Sequence, residues 1–196
     1  KDVGSPSSAT LSWALGFALA LPVSRSLDVS GDWDLAVRTV ERVLDNPDPA
    51  VRARSHRTIA LVAIRQHRYD DAIVALQRAL AVDLDDTGAV ELAHTLLGGV
   101  YAGVGRLADA LEQHQIAAAM ADASGDPVRR GRAHGNLANR LRELGRMAEA
   151  ERLLVESADL SVGADDAFGV MLRHGNLGLL YEDLQRDDEE EQPHEE

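Results

Sequence analysis

One short pattern recurs in step along this chain, and self-similarity at a fixed period constrains a fold more tightly than any other signal a sequence carries. His94, Leu97, Gly98 and Tyr101 return as His134, Leu137, Ala138 and Leu141, then as His174, Leu177, Gly178 and Tyr181. His56, Ile59, Ala60 and Ala63 form a weaker copy. Twelve residues after Ala60, Gly98 and Ala138 stand Ala72, Ala110 and Ala150, and Ala36 opens that series one unit earlier, so its spacings are 36, 38 and 40 residues. Inside a unit the apolar residues fall three and four apart, which is helical spacing. His134, Leu137, Ala138, Leu141 and Leu144 make one stripe, and Ala150, Leu153, Leu154 and Ala158 a second. Between them Gly145-Arg146 is suited to ending a helix, as are Gly31-Asp32 and Gly105-Arg106. His67-Arg68 and Gln185-Arg186 lack the glycine, so turns of another conformation are expected there. Each unit reads as helix, tight turn, helix.

Glycine within a helix costs about 1 kcal/mol relative to alanine. Gly98 and Gly178 bear that cost at mid-helix, which predicts close approach of a partner helix carrying alanine. Aromatics make up only 4% of a composition that is 45% hydrophobic, so the core must come from Ala, Leu and Val. Small side chains of that kind suit closely packed helix pairs.

Leu97-Gly98-x-x-Tyr101, followed by Gly105 and Ala110, resembles the tetratricopeptide repeat (TPR) pattern. Leu137-Ala138, Gly145 and Ala150 match it as well, and Gly31-Asp32-Trp33, Ala36 and Pro47/Pro49 match the second half of a unit. Histidine replaces the family's usual tryptophan at the first signature position. The resemblance covers about residues 24 to 186. The 38- and 40-residue units, with Asn-Leu after His-Gly, are similar to repeat regions of bacterial signal-transduction and transcriptional regulators. What it implies is an all-α fold, a right-handed α-solenoid of about four and a half helix-turn-helix repeats. Residues 1–30 then form an N-terminal helical segment (an incomplete first repeat), 31–186 the solenoid and 187–196 an acidic flexible tail.

Composition excludes several kinds of work. There is no cysteine, hence no disulfide and no thiolate metal site, and a reducing cytoplasm is the natural location. The formal charge is −13, and the last ten residues, DDEEEQPHEE, hold seven acids and no base. This balance opposes nucleic-acid binding by the segment, which needs a basic face. The apolar stretch from Thr10 to Val23 is too short to span a bilayer, so no membrane partner is expected. It reads as a buried helix interrupted at Pro22, with a signal-peptide apolar region as the alternative. Both ends read as cut from something longer.

The four signature histidines belong to successive repeats, and helix axes packed 8–10 Å apart keep them from sharing one metal. They are expected to pack between helices with one nitrogen hydrogen-bonded. Gly103-x-Gly105-x-x-Ala108 follows a helical stripe rather than a strand, so it reads as an inter-helix turn and not a dinucleotide site. No Gly-x-Ser-x-Gly, Walker A or His-Glu-x-x-His motif occurs. The expectation is a non-enzyme with no cofactor and no metal site.

Candidate ligand-binding residues lie on the other face of the first helices, which line the concave groove of a TPR stack. Arg132, Asn136, Asn139 and Glu143 make one stripe with Arg142 adjacent, and Leu172, Asn176, Leu179 and Asp183 the next. Asparagine carries both donor and acceptor and can clamp a peptide backbone, and arginine can pair with a carboxylate. The TPR resemblance implies a peptide-binding role for Asn136, Asn139 and Asn176. The match to the terminal-carboxylate clamp of chaperone-binding members is partial, because Gly135 stands where a lysine belongs and Leu61 where a groove asparagine does. Upstream, Arg54, Arg57 and Arg65 mark a basic stretch, followed by an apolar floor of Leu92, Leu96, Gly99, Ala102 and Gly103. These features fit a protein or peptide ligand with an acidic end and an apolar middle. The chain therefore reads as a non-enzymatic protein- or peptide-binding scaffold, the sensor or interaction module of a bacterial regulator. The alternative is a structural self-association module forming a homo-oligomer.

Overall fold

The computed structural model describes residues 37, 38, 40–164 and 166–191, with backbone only at 168 and 186–191. Among them run seven long helices and no strand: α1 (Pro49–Arg65), α2 (Tyr69–Leu80), α3 (Thr87–Gly103), α4 (Leu107–Ser124), α5 (Pro127–Glu143), α6 (Met147–Gly163) and α7 (Ala167–Glu191). The fold is an all-α helical repeat of the solenoid class. The chain divides into two compact units, Lys1–Ala93 and His94–Glu196. In the first, α1 packs on α2; in the second, α4 on α5, α5 on α6, α6 on α7, and α5 also on α7. The segments Thr10–Val23 and Gly31–Ala36 and the residues after Glu191 lie outside the described residues.

A second periodic series, of aspartates, starts the first helix of each unit. Asp48 Oδ1 accepts the Ala50 N–H at 2.8 Å, Asp86 Oδ1 the Ala89 N–H at 3.0 Å, Asp126 Oδ1 the Val128 N–H at 2.9 Å, and Asp166 Oδ1 the Gly169 N–H at 3.0 Å. Each such cap is worth about 1 kcal/mol. Pro49 and Pro127 follow at the first helical position, where a missing N–H costs nothing. The second helices begin without a side-chain cap, at Arg68, Arg106 and Arg146. Those arginines pair instead with Asp71, Asp109 and Glu149 three residues on. All three pairs are exposed and contribute little.

The turns between paired helices are one structure used three times. The N–H groups of Arg68, Arg106 and Arg146 donate to the carbonyls of Ala63, Tyr101 and Leu141 at 2.9, 2.8 and 2.9 Å. This is the six-to-one bond of a Schellman ending, which needs a left-handed residue just before the donor. Gly105 (φ +78°) and Gly145 (φ +73°) supply it, and so does His67 (φ +57°). The absence of glycine at 67 therefore does not change the turn. Histidine visits the left-handed region more readily than branched residues do, and its Nδ1 lies 3.0 Å from the Tyr69 hydroxyl. At Gln185-Arg186 there is no turn: α7 continues to Glu191, through a stretch that holds neither glycine nor proline to stop it. The acidic run thus begins inside this helix.

The core is built on the small residues the period singled out. Ala60, Ala72, Ala110, Ala138 and Ala150 are wholly buried, as are Leu76 and Leu154. Ala138, Leu141, Ala150, Leu154 and Leu180 form one cluster, flanked by Leu137, Leu153 and Leu177. Gly98 does meet a close neighbour, but it is the ring of His114 rather than an alanine. A Cβ on Gly98 would lie 2.8 Å from His114 Nε2. Around Gly178 there is open space within 4 Å, since no described helix covers that face of α7. Replacing Gly98 by Leu is expected to cost roughly 1–3 kcal/mol by overpacking. Urea unfolding of the Gly98→Leu, His114→Ala double variant should recover most of that loss, because the ring and the new side chain compete for one space.

Candidate functional site

An open cavity of about 400 Å³ lies in the second unit, where α3, α4 and α5 meet. Its floor is small: Gly99, Ala102 and Gly103, with nothing within 4 Å of a Cβ built on Gly99 or Gly103. Thr95, Asn136 and Glu143 ring it, and His114 and Arg140 close it from within. Asn136 and Arg140 sit four apart on α5, so helical geometry places both on one side. Arg140 Nη1 donates to Glu143 Oε2 at 2.8 Å, while its Nε is buried without a hydrogen-bond partner. His114 is buried, and its Nδ1 also has no partner. Burial, with the Arg140 charge adding to it, pushes the His114 pKa down to about 4. The imidazole is therefore neutral at pH 7.

The sequence-derived residues distribute unevenly around this cavity. Asn136 lines it, together with Gly99, Ala102 and Gly103 of the expected floor. Asn139 and Asn176 are half-buried and Arg132 is exposed, none of them among the lining residues. Arg142 is tied up: Nη1 donates to Asp183 on α7 in an ion pair, joining the residue beside the first expected stripe to the end of the second. Leu172 and Leu179 of the α7 stripe are 41% and 48% exposed. Arg54, Arg57 and Arg65 all belong to α1 in the first unit. Arg54 and Arg65 are exposed there. Arg57 is not free for a ligand, because it is buried and its Nη1 donates to the Ala89 carbonyl at 3.0 Å. Desolvation, then the Arg54 charge, lowers its pKa, with Asp86 partly opposing.

The signature histidines behave in two ways. His94 Nδ1 lies 2.8 Å from Gln113 Oε1, and His134 Nε2 lies 3.0 Å from Asp122 Oδ1. Arg130 bridges Asp122 at 3.0 Å and Glu156 at 3.2 Å beside His134, rimming a second cavity of about 490 Å³. His174, by contrast, is exposed, because nothing described packs over that part of α7. His56 is half-buried, its pKa lowered by desolvation and by Arg78.

Sequence reasoning passed over His114 and Arg140. The signal was present: in the repeat register His114 falls where the neighbouring units bury Leu76 and Leu154, and Arg140 where they bury Val62, Val100 and Leu180. A polar residue in an apolar column is visible once units are aligned by period. Arg173 is a third such case, buried where other units have Ser55, Ala93 and Ala133. It lies against Gly135, where a Cβ would be 2.7 Å from the guanidinium.

No family model matches the chain, and no curated protein does. Solved structures do. BtubC (BKLC) from P. vanneervenii superposes with a TM-score of 0.64 at 21% identity, over 78% of this chain and 64% of that one. The apo form of RapI gives a TM-score of 0.71 at 13% identity, over 80% of this chain and 45% of that one. MamA gives 0.54 at 18% identity, over 84% and 90%. The chain thus spans less than two thirds of the BtubC and RapI chains. These are helical repeat proteins of the TPR type, and at such identities the likeness establishes the fold. No helix among the described residues is long and apolar enough to cross a membrane.

Because His114 titrates lower in the folded chain than in the unfolded one, the unfolded state binds the extra proton between pH 6.5 and 4. Stability is then full above pH 6.5 and declines as the pH falls toward 4, by up to about 3 kcal/mol. His56 acts in the same direction. Urea unfolding at a series of pH values checks this, and His114→Leu should flatten most of the slope.

Proposed function

We propose that this chain is a non-enzymatic protein- or peptide-binding module, the sensor or interaction part of a bacterial cytoplasmic regulator. The cavity that gathers Asn136, Thr95 and Arg140 over a floor of Gly99, Ala102 and Gly103 carries this reading. A floor without large side chains lets an extended backbone come close, and an amide with donor and acceptor can hold that backbone whatever its sequence. The site rests on helices fixed at both ends by caps and turns, so little ordering is lost on binding. RapI and MamA share the scaffold, which suits presentation of a surface rather than bond-making. Asn139, Arg132 and Asn176 extend the contact along α5 and α7. A fluorescence-anisotropy screen against a peptide library tests the reading. Asn136→Ala with Asn139→Ala is expected to weaken the best binder at least about tenfold, the loss of one or two hydrogen bonds, and unchanged affinity rejects the groove.

One observation favours a second reading, self-association. Met171 is 63% exposed on α7, on the side where Gly175 and Gly178 meet open space. In the preceding unit the corresponding small residue, Ala138, is wholly buried. Sedimentation equilibrium across a hundredfold range of concentration separates the two: a single monomer mass favours the groove, and a rising mass abolished by Met171→Asp favours association.

A further inference from the structure

We propose that His114 and Arg140 form a carboxylate-binding site set into the repeat core of the second unit, opening onto the groove cavity. The repeat register carries the inference. Every other described position of these two columns holds a buried apolar residue: Leu76 and Leu154 in one, Val62, Val100 and Leu180 in the other. His114 and Arg140 come from successive units, one departure in each column, and the two side chains line the same cavity. Each keeps a buried polar atom with no hydrogen-bond partner, His114 Nδ1 and Arg140 Nε. A buried polar atom left unmet destabilises a fold; His134, Arg142 and Arg173 each carry one too, but among the described residues only His114 and Arg140 bring two of them to one cavity. Gly98 is matched to this: its missing Cβ is what admits the His114 ring.

The ligand class follows from the donors. Guanidinium is permanently charged and offers a planar fork of N–H groups that fits a carboxylate. Glu143 already engages Nη1, so the Nε edge is what remains, and the pair is close to neutral. The Glu143 carboxylate on the same cavity works against any anion and most against a phosphate dianion, so a singly charged carboxylate is the better fit to the free Nε edge. A neutral imidazole beside it can donate to the same anion, and Asn136 and Thr95 stand at the rim for the group that bears it. Arg173 provides the contrast. It also replaces a small core residue and its Nε is likewise buried without a partner, but it fills a niche against Gly135 and lines neither cavity described.

The carboxylate can belong to an acidic side chain of a bound peptide, to a chain terminus or to a free small acid. This inference rests on the proposed groove only for the peptide source, because small acids report on the pocket alone. The test is NMR of the full chain, following the His114 imidazole and the Arg140 Nε–Hε signal. The probes are N-acetylglutamate N-methylamide at a blocked carboxyl (internal side chain), N-acetylglycine (terminal carboxylate), acetate (free acid) and inorganic phosphate. The expected result is a saturable shift of both signals with at least one carboxylate probe, tighter than with phosphate. Arg140→Leu and His114→Leu should each weaken that response at least tenfold while melting no lower than the parent chain, since each restores the residue type of the other units. Arg140→Lys, which keeps the charge and loses the fork, should weaken it similarly. No saturable shift with any carboxylate, phosphate binding as tightly, or a response preserved in both leucine variants overturns the proposal. If acetate binds but no peptide does, the pocket stands and the groove reading fails.

Discussion

The rest of this structure depends on how closely its paired helices approach one another. Ala60, Ala72, Ala110, Ala138 and Ala150 are wholly buried because no larger side chain fits at those crossings. Close-packed interiors tolerate neither gaps nor added methylenes. A large residue at such a crossing must therefore be met by a smaller one opposite. The molecule does this twice in its second unit, with His114 against Gly98 and Arg173 against Gly135. Both pairs keep the helix spacing while admitting a polar group that the repeat otherwise excludes.

Helix ends are fixed as strictly as helix faces. The aspartate caps at 48, 86, 126 and 166 and the repeated six-to-one turns hold each helix to a set start and stop. Rigid ends matter for the groove, because a side chain on a well-held helix presents its donors at a defined place. Arg142 and Asp183 add a cross-link between α5 and α7 at the far end of the two stripes. Its value is in register more than in stability, given how much desolvation takes back from a half-buried ion pair.

His134, Arg142 and Arg173 each keep one buried nitrogen without a hydrogen-bond partner, as His114 and Arg140 do, so what sets the last two apart is the cavity they share. Arg130 and His134 are held among Asp122 and Glu156, and Arg142 by Asp183. His114 and Arg140 keep orphaned nitrogens next to open space. Departures from the repeat pattern of this kind lower stability, and two of them stand side by side at this cavity.

How much was legible can be judged residue by residue. The period alone placed the buried alanines, the helix pairs and the glycine turns at 105 and 145, since all three depend on local helical geometry and on the rarity of left-handed backbone. It also placed Asn136 on the open side of α5. It did not reveal that His67 copies the glycine turn, that α7 runs on past Gln185, or that Arg57 turns inward to the Ala89 carbonyl. Sequence fixed which face of each helix is buried, because that follows from 3.6 residues per turn within one segment. Which side chain meets which across the gap, His114 beneath Gly98 rather than an alanine, was decided only when separate helices packed, because such contacts join residues the local pattern never compares.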